Sequence, residues 1–184
     1  NPIKAEWTGN DLKDPHSLTN LIIEAMCLSR AFAATGQATE IEIMVAGNAV
    51  LIYNNGPGIS MDKKKGDKTL IEILLTELHA CKNIKHENLK DFCEAGIVVA
   101  NALSEFLEVV NVCDNVAHVI RYAKGELDDG PYVAGTAKKN GLAIEFHFDK
   151  EIFGDLKIDK EDLIAEIEKI KPTTPAKITV RFDN

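Results

Sequence analysis

The sequence predicts an α+β fold, a two-layer α/β sandwich in which helices cover one face of a mixed, mostly antiparallel sheet. Three observations carry this reading. A long apolar segment with helical spacing, "DPHSLTNLIIEAMCLSRAFAATG", is followed at once by the strictly alternating "TEIEIMV". From Leu107 the pattern turns to successive strand-like runs, "LEVVNVC", "VAHVIRYAKG" and "GLAIEFHFD". A capped helical pattern, "DKEDLIAEIEKI", and a last strand, "AKITVRF", close the chain.

The first segment reads as one helix. Asp14 is placed to N-cap it with Pro15 at the first helical position, and Thr35-Gly36 supplies the stop. Leu18, Leu21, Ile22, Ala25 and Met26 follow one stripe, and Ile23, Cys27, Leu28 and Ala31 follow another. A helix apolar around so much of its circumference is expected to be deeply packed. In "TEIEIMV", Ile41 and Ile43 alternate with Glu40 and Glu42, as in a half-buried strand. "AGNA" turns the chain into a second strand, "VLIYN". "DKTLIEILLTELHA" predicts a second amphipathic helix, followed by the polar "CKNIKHENLKD" and a buried helix in "AGIVVANALSEF". Asp114-Asn115 forms the turn between the first two later strands, and the last helix is expected to end at Pro172. Neither an internal repeat nor a domain break is visible, so residues 1–184 are expected to form a single domain.

Composition narrows the function classes. The chain of 184 residues is 45% hydrophobic and 27% charged, enough for a substantial core. Its net charge of −8 opposes a phosphate backbone, so direct nucleic-acid binding is not expected. Lys63-Lys64-Lys65, set among Asp62, Gly66 and Asp67, reads as a solvated loop. Cys27, Cys81, Cys93 and Cys113 lack paired C-x-x-C spacing and read as reduced thiols. His79, Cys81, His86 and Cys93 do not make a tetrahedral ligand pattern, so no metal site is expected. No signal peptide or bilayer-spanning apolar run is apparent, and the expected location is cytoplasmic, away from membranes.

Five stretches in one order carry a resemblance. They are "LIIEAMCLSRAFAATG", "NNGPGIS", "LIEILLTELHACKN", "GIVVANALSEFLEV" and "KKNGLAIEFHFDKEIF". Together they resemble the ATP-binding domain of gyrase B and topoisomerase IV B subunits, of the GHKL superfamily with its Bergerat fold. The turn is similar to the family's D-D-G-R-G-I-P, and the third stretch to the helix ending L-H-A-G-G-K. The resemblance runs from about Gly9 to Phe182. It implies a GHKL-like ATPase-type domain over 1–184, without the transducer and DNA-cleavage domains of a complete topoisomerase subunit.

The resemblance also implies roles for particular positions. Glu24 stands where the family has the general base that activates the attacking water. Leu28 stands where the family has a magnesium-binding asparagine, and a leucine offers no oxygen to a hard cation. Asn54 replaces the aspartate that reads the adenine amino group, which removes the charge assistance. Pro57 and Phe32 replace an arginine–glutamate pair that covers the adenine, and Ala31 replaces the aspartate before that glutamate. The family lid, G-G-L-H-G-V-G, aligns with "KDFCEAG", which keeps only Gly96. Asp91 and Glu94 there would oppose a triphosphate, and Phe92 and Cys93 lack glycine's backbone freedom. Leu142 replaces a threonine after the later K-T-G. Glu24, Gly56, Gly58 and Gly96 persist.

The functional expectation is a divergent, non-catalytic gyrase B-like domain that serves as an interaction or regulatory module or takes an altered ligand. The other reading is an ATP-binding and ATP-hydrolysing domain of a type II topoisomerase subunit, which alone would require Mg-ATP. No cofactor is expected on the first reading. The implied partner is a gyrase B-type subunit or another protein. With little chain before Gly9 to serve as an exchanging arm, a monomer or a dimer unlike the family's is expected. His79 and Asn101 are expected to be structural rather than ligand-binding.

Overall fold

The computed structural model describes residues 12–80, 91–93 and 95–183. Two helices, α1 (Pro15–Ala25) and α2 (Cys27–Ala34), lead into the hairpin β1 (Glu40–Ala46) and β2 (Ala49–Asn54). A short ribbon, β3 (Lys64–Lys65) with β4 (Lys68–Thr69), precedes α3 (Leu70–Thr76). Helix α4 (Val98–Ala102) feeds the strands β5 (Ser104–Cys113), β6 (Val116–Ala123), β7 (Glu126–Thr136) and β8 (Gly141–Phe148). The chain ends with α5 (Lys150–Phe153), α6 (Lys160–Ile170), a 3-10 turn at Lys171–Thr173 and β9 (Lys177–Asp183).

Seven strands form one sheet in the order β7-β6-β5-β8-β2-β1-β9. Every pairing is antiparallel except β1 with β9, so the sheet is mixed and mostly antiparallel, as expected. Ile41, Ile43 and Val45 of β1, Val50 and Ile52 of β2, and Ile144 and Phe146 of β8 alternate inward to a single core. The helices supply the facing layer. Leu21, Ile22, Ala25 and Met26 are completely buried, and α1 touches both α4 and α6.

Local chemistry explains most boundaries. The Asp14 carboxylate accepts the His16 N–H at 3.0 Å, with Pro15 opening α1. The expected single first helix is two. At Met26 ψ relaxes to −3°, and its N–H is shared between the Ile22 and Ile23 carbonyls. The Arg30 N–H still reaches the Met26 carbonyl, so the axis continues across the loosened residue. Thr69 and Glu72 form a reciprocal capping box on α3. That helix stops at Thr76, short of the expected "LHA", and His79 lies at φ +56°. Helix α4 is only five residues long and the strand pattern resumes at Ser104, earlier than expected. Lys64 and Lys65, expected in a loop, pair with Thr69 and Lys68 while remaining exposed.

The strand β7 was not expected at all. Ten of its eleven residues are exposed, so neither face carries the apolar alternation that announces a strand. Most of the polar stretch from Cys81 lies outside the described residues, as do His86 and Glu94. Cys27 and Cys93 are buried free thiols, and Cys113 is half-buried, where burial and the neighbouring Asp114 push its pKa up. No described helix is long and apolar enough to cross a membrane.

Helix α6 is held by Asp159, which accepts the Glu161 and Asp162 N–H groups, and by Leu163 and Ile167 in the core. Because Leu163 is completely buried, Leu163→Ala is expected to cost about 2–5 kcal/mol. The urea midpoint should fall with little change in its slope.

Candidate functional site

The glycine turn "NNGPGIS" leaves β2 where three strands lie side by side. In register, Asn54 of β2 faces Leu142 of β8, and Leu142 faces Asn111 of β5. This row puts two buried amides on either side of a leucine that is itself completely buried. Each amide is used within the chain. Asn111 accepts the Ile59 N–H at 2.8 Å and donates to the Ile59 carbonyl at 2.7 Å, fixing the far end of the turn. Asn54 accepts the Gly56 N–H at 3.0 Å and donates to Ser29 Oγ at 2.9 Å, fixing the near end. Asn55 accepts from Thr39 and Glu40 and so pins the turn to the start of β1.

Both glycines meet steric demands. A Cβ on Gly56 would lie 2.7 Å from Asn54 Oδ1 and 3.0 Å from the Phe32 ring. Gly58 has φ +74°, and a Cβ there would come within 2.2 Å of the Val112 carbonyl oxygen. Pro57, half-buried between them, stands with Asn55, Lys138 and Lys139 around an open cavity of about 520 Å³.

Above this row lies the α1–α2 unit. Leu28 and Phe32, one turn apart on α2, are both buried in the core cluster, as is Ala31. Phe32 packs on Gly56 from the helical side. Glu24, near the end of α1, is the half-buried carboxylate of this region. Its Oε2 accepts the Gly96 N–H at 2.8 Å and the Ala95 N–H at 3.2 Å. This part of the chain, in its described residues 91–93 and 95–96, is therefore drawn onto the helix. Two further contacts hold it: Arg30 stacks over the Phe92 ring at 5.1 Å, and the His79 N–H donates to the Ala95 carbonyl.

Arg30 is the residue that sequence reasoning missed. Burial pushes its guanidinium below its usual pKa, offset by the nearby Cys27, Cys93 and Glu24. It also reaches Thr174 Oγ1 at 3.4 Å and Thr173 Oγ1 at 3.3 Å, linking α2 to the 3-10 turn that follows α6. Its only sequence signal is an isolated cation in an apolar helix. Asn101 donates to the Leu75 carbonyl at 2.9 Å.

The structure thus gathers Glu24, Leu28, Asn54, Gly56, Gly58, Gly96 and Leu142 around the α1–α2 unit and the ends of β2, β5 and β8. Pro57 lines the cavity beside Gly56, with Lys138 and Lys139. A helical layer on this mixed sheet, with a glycine turn leaving β2 beneath the first helical unit, defines the GHKL ATPase-type class.

No family model matches the chain. The DNA gyrase B protein of Thermus thermophilus is 30% identical over 145 residues, covering 75% of this chain and 23% of that protein. The DNA topoisomerase 4 B protein of Rickettsia felis is 29% identical over 178 residues, covering 92% of this chain and 27% of that protein. The crystal structure of the 43K ATPase domain of Thermus thermophilus gyrase B, in complex with an aminocoumarin, superposes with a TM-score of 0.73. That match has 27% identity and covers 91% of this chain and 43% of the other. This chain is a homologue of gyrase B and topoisomerase IV B proteins, with the GHKL fold of the gyrase B ATPase domain. It spans about a quarter of the length of the curated relatives it matches.

Two substitutions test the geometry. Gly58→Ala places a Cβ in the left-handed region and against the Val112 carbonyl. It should destabilise the fold by about 2–3 kcal/mol in urea titrations, since the backbone conformation alone costs about 1–2 kcal/mol. Glu24→Ala removes the acceptor of two backbone donors, a loss of about 1–3 kcal/mol. Amide exchange at Ala95 and Gly96 should then accelerate well beyond that of the β-sheet amides.

Proposed function

We propose that this domain is a divergent, non-catalytic member of its class that neither binds Mg-ATP tightly nor hydrolyses it. On this reading it serves as an interaction or regulatory module, and its partner is a gyrase B-type subunit or another protein. One observation carries the proposal. The Glu24 carboxylate, at the position of the family's general base, accepts hydrogen bonds from the backbone of the segment at the lid position. One oxygen of this carboxylate is thereby engaged by its own chain, which opposes its use as a general base toward water.

The surroundings support the same reading. Leu28 presents an apolar side chain where magnesium coordination needs oxygen, and it is buried with Phe32 in the core. The Asn54 amide has both of its functions satisfied by Ser29 and Gly56. Asp91 is exposed on the segment that would meet phosphate, and its charge opposes a triphosphate. The cytoplasm is the proposed location, without direct contact of this domain with nucleic acid or membrane.

The competing reading is an ATPase domain of a type II topoisomerase subunit. It is favoured by the retained Glu24, Gly56, Gly58 and Gly96 and by the relatives' names. Isothermal calorimetry with Mg-ATP separates the two. The expected dissociation constant is weaker than about 1 mM, and no phosphate release should exceed that of buffer. Magnesium-dependent binding in the micromolar range would overturn the proposal. The double substitution Leu28→Asn with Asn54→Asp is expected to leave affinity unrestored, because the Phe92–Cys93 segment still lacks glycine's backbone freedom.

A further inference from the structure

At the N-terminal end of α1, His16, Asp162 and Glu166 bring one ring nitrogen and two carboxylate oxygens within 4.8 Å of one another. Two helices make the cluster. His16 is the second residue of α1, and Asp162 and Glu166 stand one turn apart on α6. His16 Nδ1 lies 3.0 and 2.9 Å from the two Asp162 oxygens. Among the described residues this is the one such group of histidine, cysteine and carboxylate side chains.

We propose that His16, Asp162 and Glu166 bind one divalent transition-metal ion, zinc-like in its ligand preference, with the fourth position open to water. One imidazole and two carboxylates suit such an ion, whereas an oxygen-only set would suit magnesium or calcium. Metal–ligand bonds of about 2.0–2.2 Å place ligand atoms about 3.3–3.5 Å apart, so small rotations of these side chains close the site. His16 is 45% exposed, which leaves an entry path. The competitor for Glu166 is Lys169, paired with it along the helix surface, an interaction of little energetic weight. The bound ion would clamp α6 to the start of α1. Sequence spacing could not show this, because His16 and Asp162 are 146 residues apart.

The test uses the untagged full chain, stripped with chelator and titrated with zinc chloride alone. Calorimetry should give one equivalent whose affinity falls about tenfold or more in both H16A and E166Q, with unchanged circular dichroism. The imidazole resonances of His16 in the wild-type chain should shift on adding one equivalent, a readout that does not depend on either variant folding. Unshifted His16 resonances, or an affinity unchanged in either folded variant, overturn the proposal and leave the cluster as an ion pair between helices.

Discussion

The burial of the α1–α2 unit against the sheet is the constraint from which the rest follows. Leu21, Ile22, Ala25 and Met26 lose all solvent contact, and the inward residues of β1 and β2 beneath them are buried. At about 1.5–3 kcal/mol for each large apolar side chain fully buried, no local polar contact competes with this packing. The rotation of the helix about its axis is thereby fixed. Once it is fixed, Leu28 and Phe32 must enter the core, and Glu24 must emerge at the edge, where Ala95 and Gly96 meet it.

Buried amides then set what apolar packing leaves free. Packing is non-directional and would tolerate small shifts of the glycine turn. Asn54 and Asn111 remove that freedom, each joining the turn to a neighbouring element through a paired donor and acceptor. Leu142 between them offers no competing polar group. The turn is therefore built as a rigid junction of β2, β5, β8 and α2. A buried asparagine in such a place specifies geometry, because leaving either of its functions unpaired would cost about 1–3 kcal/mol.

The fold was legible wherever one face of an element is buried and the other is not. The alternation of Ile41 and Ile43 and the Asp14–Pro15 start each have a local cause and appear where the sequence places them. β7 was illegible because exposure on both faces leaves no period to read. The break at Met26 and the early end of α3 depend on tertiary fit, which residue spacing does not encode. At the candidate site, the glycine positions and the inward Leu28 were legible, since both are steric or apolar matters. The Glu24 contact with Ala95 and Gly96 was not, nor was Arg30 over Phe92, because each joins residues more than sixty positions apart through a loop.

That closing contact has a thermodynamic consequence for any anion approaching the same pair of N–H groups. Hydrogen bonds to a charged group contribute about 1.5–3 kcal/mol each, and Glu24 presents its carboxylate from a helix whose position is already fixed. The carboxylate acts as a tethered ligand at high effective concentration. A free anion must displace it and also leave a half-buried carboxylate without those partners. Arg30 compounds the difficulty, since its stacking on Phe92 ties the same segment to α2 as Glu24 ties it to α1. Opening the segment for a ligand thus breaks contacts on two helices at once.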